Sequence, residues 1–165
     1  MLGLSKRTEY ALIALGYLVE RPENCCPARE IAAAYKLPQA LLMNLLKEMH
    51  GAGLLRSTRG TKGGYRIAAD LDGTSLYDLI QVIDGPVELV ECVNDQKCCD
   101  PLDGGCRIAS ICPLQQPLRA LHQKLVRFLK DVKISDLIVP GRRIDVPLEF
   151  VGVSADAGGV PGANV

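Results

Sequence analysis

Five cysteines, Cys92, Cys98, Cys99, Cys106 and Cys112, crowd into 21 residues, and two more, Cys25 and Cys26, stand early in the chain. Clustered thiols in a protein of the reducing cytoplasm more often bind metal or sense redox state than form a disulfide frame. Two observations place the chain there. Lys6, Arg7 and Glu9 lead straight into an amphipathic segment with no secretory pattern. The apolar runs are too short for a membrane span, so no membrane partner is expected.

Five residues separate Cys106 from Cys112, and thirteen separate Cys92 from Cys106. Structural zinc favours pairs two to four residues apart, whereas wide spacing on a loop suits the larger frame of an iron–sulfur cluster. Gly104 and Gly105 would offer backbone amides to the cluster sulfides. For Cys92, Cys106 and Cys112, metal binding therefore ranks above a thiol switch, and a switch above inert thiols. Cys98 and Cys99 are adjacent and do not easily bridge each other, but with a partner thiol elsewhere they could form a redox switch without metal. Cys25 and Cys26 read as small buried hydrophobes. His50 and His122 have no evident nucleophile partner in the sequence, so no reaction is expected.

A loop of thiols needs a scaffold, and the flanking patterns supply one. Ser5 is a plausible N-cap for a first helix with Tyr10, Ile13, Ala14, Tyr17 and Leu18 at helical spacing. Pro27 precedes a short second helix over Ala28–Tyr35. After Leu37-Pro38 a third helix spans about 38–50, with Leu42, Leu45, Leu46 and Met49 as its buried stripe. Two β-type runs, 54–58 and 64–68, flank a glycine-rich basic tip and read as a hairpin. Ser75 and Asp78 form a capping box for a fourth helix over 75–84. Beyond Pro113, the residues Leu114, Leu118, Leu121, Leu125, Phe128 and Val132 repeat at intervals of four and three, a heptad-like seam on a helix over about 113–132.

The expected fold is mainly α with a small β-hairpin wing, a winged helix-turn-helix followed by a long C-terminal dimerisation helix. Its parts are a DNA-binding domain over 1–70, a linking helix and cysteine-rich loop over 71–112, the dimerisation helix and a closing segment over 113–140, and a disordered tail over 141–165.

Charge agrees with that division. The formal net charge is zero, yet residues 1–68 carry ten Lys/Arg against five Asp/Glu, while residues 69–112 carry two against nine. A positive first region fits a polyanion partner, here double-stranded DNA. Gln39, Ala40, Met43, Asn44 and Lys47 occupy the face of the third helix that its core leucines leave free. Gln39 and Asn44 have the chemistry for adenine edges or phosphate, and Lys47 for phosphate. Arg56, Arg59, Lys62 and Arg66 put four cations on the hairpin, whose glycines permit close approach to the DNA backbone.

Three segments together resemble the IscR/NsrR-type regulators (the Rrf-two family). They are Ser5-Lys6-Arg7-Thr8-Glu9-Tyr10-Ala11-Leu12, the wing run Arg59-Gly60-Thr61-Lys62-Gly63-Gly64-Tyr65, and Cys106-Arg107-Ile108-Ala109-Ser110-Ile111-Cys112-Pro113-Leu114. The resemblance covers roughly residues 1–139. It implies a homodimer in which the long helices cross, and a repressor whose iron–sulfur cluster, of two-iron or four-iron type, lies near the partner's DNA-binding domain. By position it implies Cys92, Cys106 and Cys112 as ligands. A fourth ligand would be Cys99 or Cys98, or Glu9, which falls where similar regulators use an acidic residue of the partner's first helix. Cys99 is favoured, because a local thiolate needs no partner subunit.

The chain departs from the family in a longer Cys92–Cys106 gap. It also carries Met43 where cluster-assembly regulators carry glutamate, so their operator preference does not transfer. Two alternatives stand beside this reading. One is a DNA-binding regulator that is a cluster-free thiol sensor or zinc-stabilised; the other is a small iron–sulfur electron carrier.

Overall fold

The fold is built on one helix that touches most of the others. A computed structural model describes residues 3–60, 63–90, 108 and 111–144. Helix α1, Lys6–Val19, starts at Ser5, whose hydroxyl accepts from the Thr8 amide at 3.0 Å. Its buried face is built from small and medium side chains, with Ala11, Ala14, Leu15 and Leu18 essentially sealed from solvent. Gly16 extends that closeness, since a Cβ there would lie 3.8 Å from Ile138.

Helices α2, Ala28–Tyr35, and α3, Gln39–Gly51, form the helix-turn-helix. Lys36 closes α2 in the left-handed region at φ 53, and the Leu37 amide reaches back to the Ala32 carbonyl at 2.9 Å. Pro38 then begins α3 where a missing amide hydrogen costs nothing. Leu42, Leu45, Leu46 and Met49 are all fully buried, as their spacing requires.

Strands β1, Leu55–Thr58, and β2, Gly64–Ile67, pair antiparallel with Leu55 opposite Ile67 and Arg56 opposite Arg66. The hairpin has a third, one-residue rung. Cys26 and Tyr65 exchange both backbone hydrogen bonds, at 3.0 and 2.9 Å. A Cβ on Gly64 would stand 2.4 Å from the Cys26 backbone, so this docking requires glycine. The rung also settles the two early cysteines. Cys26 is buried as expected, but Cys25 is only half-buried and its thiol donates to Thr58 Oγ1 at 3.5 Å. Alternation across an extended rung turns one side chain inward and the next outward, so both cannot be core.

Helix α4, Leu76–Ile83, carries the capping box, with the Ser75 hydroxyl accepting from the Asp78 amide and the Asp78 carboxylate accepting from the Ser75 amide. Helix α5, Gln115–Asp131, is followed by α6, Ile134–Ile138. Backbone bonds from Leu76 to Val132 and from Ile134 to Thr74 stitch the end of α5 to the start of α4. Leu79, Ile83 and Ile134 join the core of the helix-turn-helix. A second small cluster, Leu76, Leu129 and Val132, seats the C-terminal half of α5. No helix among the described residues is long and apolar enough to cross a membrane.

Candidate nucleic-acid interface and cysteine-rich segment

The burial of one α3 face decides what the other face presents. With Leu42, Leu45, Leu46 and Met49 turned inward, Gln39, Ala40, Met43, Asn44 and Lys47 all lie exposed on the opposite side. The helix is held in place from α1, where Arg7 donates two bonds to the Glu48 carboxylate at 2.8 and 2.7 Å. Glu48 follows Lys47 directly, so this contact, in which Arg7 Nη2 reaches both carboxylate oxygens, neutralises the acid beside the candidate phosphate contact.

On the wing, Arg56 and Arg66 are register partners and both are exposed. Like charges directly opposite on a hairpin repel, and an anion placed between them would relieve that repulsion. Arg59 is exposed at the start of the tip; Lys62 lies outside the described residues. The tip is shaped by Gly60 at φ 121 and by Gly63, where a Cβ would meet the Thr58 carbonyl at 2.3 Å. A side chain at Gly63 would collide with the backbone, and one at Gly60 would have to adopt a backbone conformation that side-chain-bearing residues rarely take. One pair escaped the sequence reading: Ser57 Oγ lies 3.1 Å from His50 Nε2, joining β1 to the end of α3. The docking of β1 against the end of α3 brings them together, and the six residues of chain between them give no signal of it.

The cysteine-rich segment is partly described. Cys92, Cys98, Cys99 and Cys106 lie outside the described residues. Cys112 is half-buried and directly follows a turn in which the Ile111 amide bonds the Ile108 carbonyl at 3.1 Å. The Cys112 carbonyl accepts from the Gln115 amide at 3.4 Å, so this thiol is fixed to the first turn of α5. Among the described residues no three His, Cys, Asp or Glu side chains converge. Glu9 is half-buried on α1 with its carboxylate 2.6 Å from Lys6 Nζ. Burial raises the pKa of the Cys26 thiol, with the nearby Glu30 charge adding to it, which makes Cys26 a poor nucleophile and a poor ligand.

The seam of α5 is covered at one end only. Leu129 and Val132 are buried, Leu118, Leu125 and Phe128 are half-buried, and Leu121 and Leu114 are 52% and 58% exposed.

Comparison with known proteins gives this geometry a context. Residues 4–140 match the family model described as "Rrf2: Iron-dependent Transcriptional regulator". The chain is 26% identical over 135 residues to the HTH-type transcriptional regulator NsrR of Shouchella clausii, covering 81% of this chain and 89% of that one. It is 25% identical over 144 residues to the HTH-type transcriptional regulator IscR of Vibrio parahaemolyticus, covering 87% and 81%. The fold matches the structure of CymR, the global cysteine regulator of B. subtilis, with TM-score 0.63 at 24% identity over 84% of this chain and 97% of that one. The basic wing, the recognition helix and the helical scaffold thus have one common explanation: the chain belongs to the Rrf2 family of winged-helix, DNA-binding transcriptional regulators and is not an enzyme.

Proposed function

We propose that this regulator is a homodimeric repressor that senses redox, nitric oxide or iron status through an iron–sulfur cluster. Cys92, Cys106 and Cys112 would hold the cluster, with Cys99 or Cys98 ahead of Glu9 as fourth ligand. The carrying observation is the position of Cys112. It is the last of five closely spaced thiols, it is accessible, and it is attached to the rigid start of a helix whose outer face is uncovered. A soft, half-buried thiolate fits iron, and the family description supports an iron-dependent role. The two-iron and four-iron types would both satisfy this donor set.

When bound, the cluster supplies one-electron redox chemistry and a target for oxygen or nitric oxide. The rest is done by the chain. Gln39, Ala40, Met43, Asn44 and Lys47 would face the major groove, with Arg56, Arg59, Lys62 and Arg66 on the flanking phosphates. The exposed half of the α5 seam supports pairing with a second copy, since a contiguous apolar patch of this kind marks an interaction surface.

Anaerobic purification followed by iron, sulfide and absorption measurements tests the sensor. The same sample is then exposed to air or nitric oxide, and DNA retention is measured before and after. Expected are stoichiometric iron and sulfide and a change in retention that follows cluster loss. Zinc in their place, or thiols without metal whose oxidation alone changes DNA retention, would replace the cluster reading with a thiol or zinc regulator.

A further inference from the structure

The outward face of α3 lacks the groups that best read guanine and cytosine. In the major groove, guanine O6 and N7 are read by a guanidinium or an ammonium, and the cytosine N4 amino group by a carboxylate. Over Gln39–Gly51 the chain has no arginine, one lysine and one acid. The acid is Glu48, which is half-buried and already engaged, its two carboxylate oxygens held by Arg7 Nη2 at 2.8 and 2.7 Å. The lysine is Lys47, eight residues beyond Gln39 and so roughly 12 Å along the axis. Recognition helices bring their first residues to the base edges, which leaves Lys47 to the phosphates.

The first turns of α3 present amide and hydrocarbon instead. Gln39, Ala40, Met43 and Asn44 are all exposed. Ala40 precedes Met43 by three residues and Asn44 by four, so the three side chains share one face. Met43 is 39% exposed on a helix that fully buries Leu42, Leu45, Leu46 and Met49. Its thioether and the Ala40 methyl make an apolar step between two carboxamides. Thymine offers the matching group, because its C5 methyl stands in the major groove. Adenine, across the pair, shows an N6 donor and an N7 acceptor, which a carboxamide meets with two hydrogen bonds. Cytosine has no methyl and turns an amino donor outward, which a thioether accepts only weakly.

We propose that α3 selects A·T base pairs, with Met43 and Ala40 packed on a thymine C5 methyl and Asn44, flanked by Gln39, on adenine N6 and N7. This rests on the reading that α3 lies in the major groove, and it names the base pairs chosen there. Met43 is then a specificity-determining residue, and the feature it recognises is a single methyl group.

The test uses the full chain, purified anaerobically, to select duplexes from a random-sequence pool. Expected is a run of A·T pairs at the positions where Asn44→Ala relaxes the selection; G·C pairs at those positions overturn the proposal. Each thymine of the selected duplex is then exchanged singly for deoxyuridine, which removes the C5 methyl alone. At least one exchange should weaken binding about fourfold, the worth of one buried methyl. Met43→Ala, a change outside the buried stripe, should largely remove that response. The proposal is overturned if no thymine responds, or if the response persists undiminished in Met43→Ala. Should folded Asn44→Ala and Lys47→Ala chains both bind the selected duplex as tightly as wild type, the placement of α3 in the groove fails, and the base preference with it.

Discussion

Helices α3 and α5 carry equally regular apolar stripes and end in opposite conditions. All four stripe residues of α3 are fully buried within the chain. On α5, Val132 and Leu129 are buried near the C-terminal end, while Leu114 and Leu121 remain more than half exposed. Periodicity states that a helix has an apolar face; it does not state which molecule covers it. The first half of this protein finishes its own core, and its outward face is free to meet DNA. The long helix is left unfinished beside the one described thiol that is attached to it.

The largest effect should fall on the sensor side of this contrast. Cys112→Ser, like Cys106→Ser, is expected to abolish visible absorption in anaerobically prepared protein while helical circular dichroism stays near wild type. Cys112 takes no part in either buried cluster, so its loss should not disturb packing. Full iron and sulfide in both single variants would detach the cluster from these positions.

A matched pair of leucine substitutions probes the contrast directly. Leu45→Ala hollows the closed core and should cost about 2–5 kcal/mol in denaturant unfolding. Leu121→Glu places a charge on the open seam. It should cost the folded monomer within about 0.5 kcal/mol, yet abolish dimerisation in sedimentation. A soluble Leu121→Glu chain that remains fully dimeric would show that the seam does not face a second copy.

The same contrast explains what was legible in the sequence. The α3 stripe, the Ser5 cap and the Ser75–Asp78 capping box are written in spacings of three or four residues, and each is present. The features that escaped join distant positions. The Cys26–Tyr65 rung spans 39 residues of chain, and the acceptance of the Ser5 and Thr8 hydroxyls by Asp84 spans more than 70. No local propensity encodes either. Cys25 and Cys26 look identical in sequence, and only the rung separates an inert thiol from an accessible one. The clustered thiols Cys92, Cys98, Cys99 and Cys106 were legible as a type of chemistry through their spacing, but which thiols could share a site is a matter of three-dimensional placement.

On the DNA-facing half, the expected effects are graded. Arg59→Ala should weaken binding several-fold and reduce the log–log salt slope by about one unit per wing. The folded core should be untouched, because Arg59 is exposed and belongs to neither strand. An unchanged slope in a folded variant would remove the wing tip from the interface.

The smallest expected effect distinguishes a fourth ligand within the loop from one across the dimer. Iron prefers thiolate to carboxylate in most protein clusters, and Cys99 stands seven positions before Cys106 on the same segment. Glu9 starts at a disadvantage, because its carboxylate is paired with Lys6 at 2.6 Å and ligation would require giving up that bond. The disadvantage is modest, since both side chains are substantially exposed and such surface pairs contribute little. Cluster lifetime in air is therefore a finer measure than cluster content. The Cys98→Ser/Cys99→Ser double variant should lose its absorption faster than wild type, and Glu9→Ala should match wild type. The reverse order, with a normal lifetime in the double serine variant and a short one in Glu9→Ala, would place the fourth ligand on the partner's α1. That result would make assembly of the cluster depend on the dimer, so cluster content should then fall on dilution below the dimer dissociation constant. With a local thiolate, content should be independent of concentration.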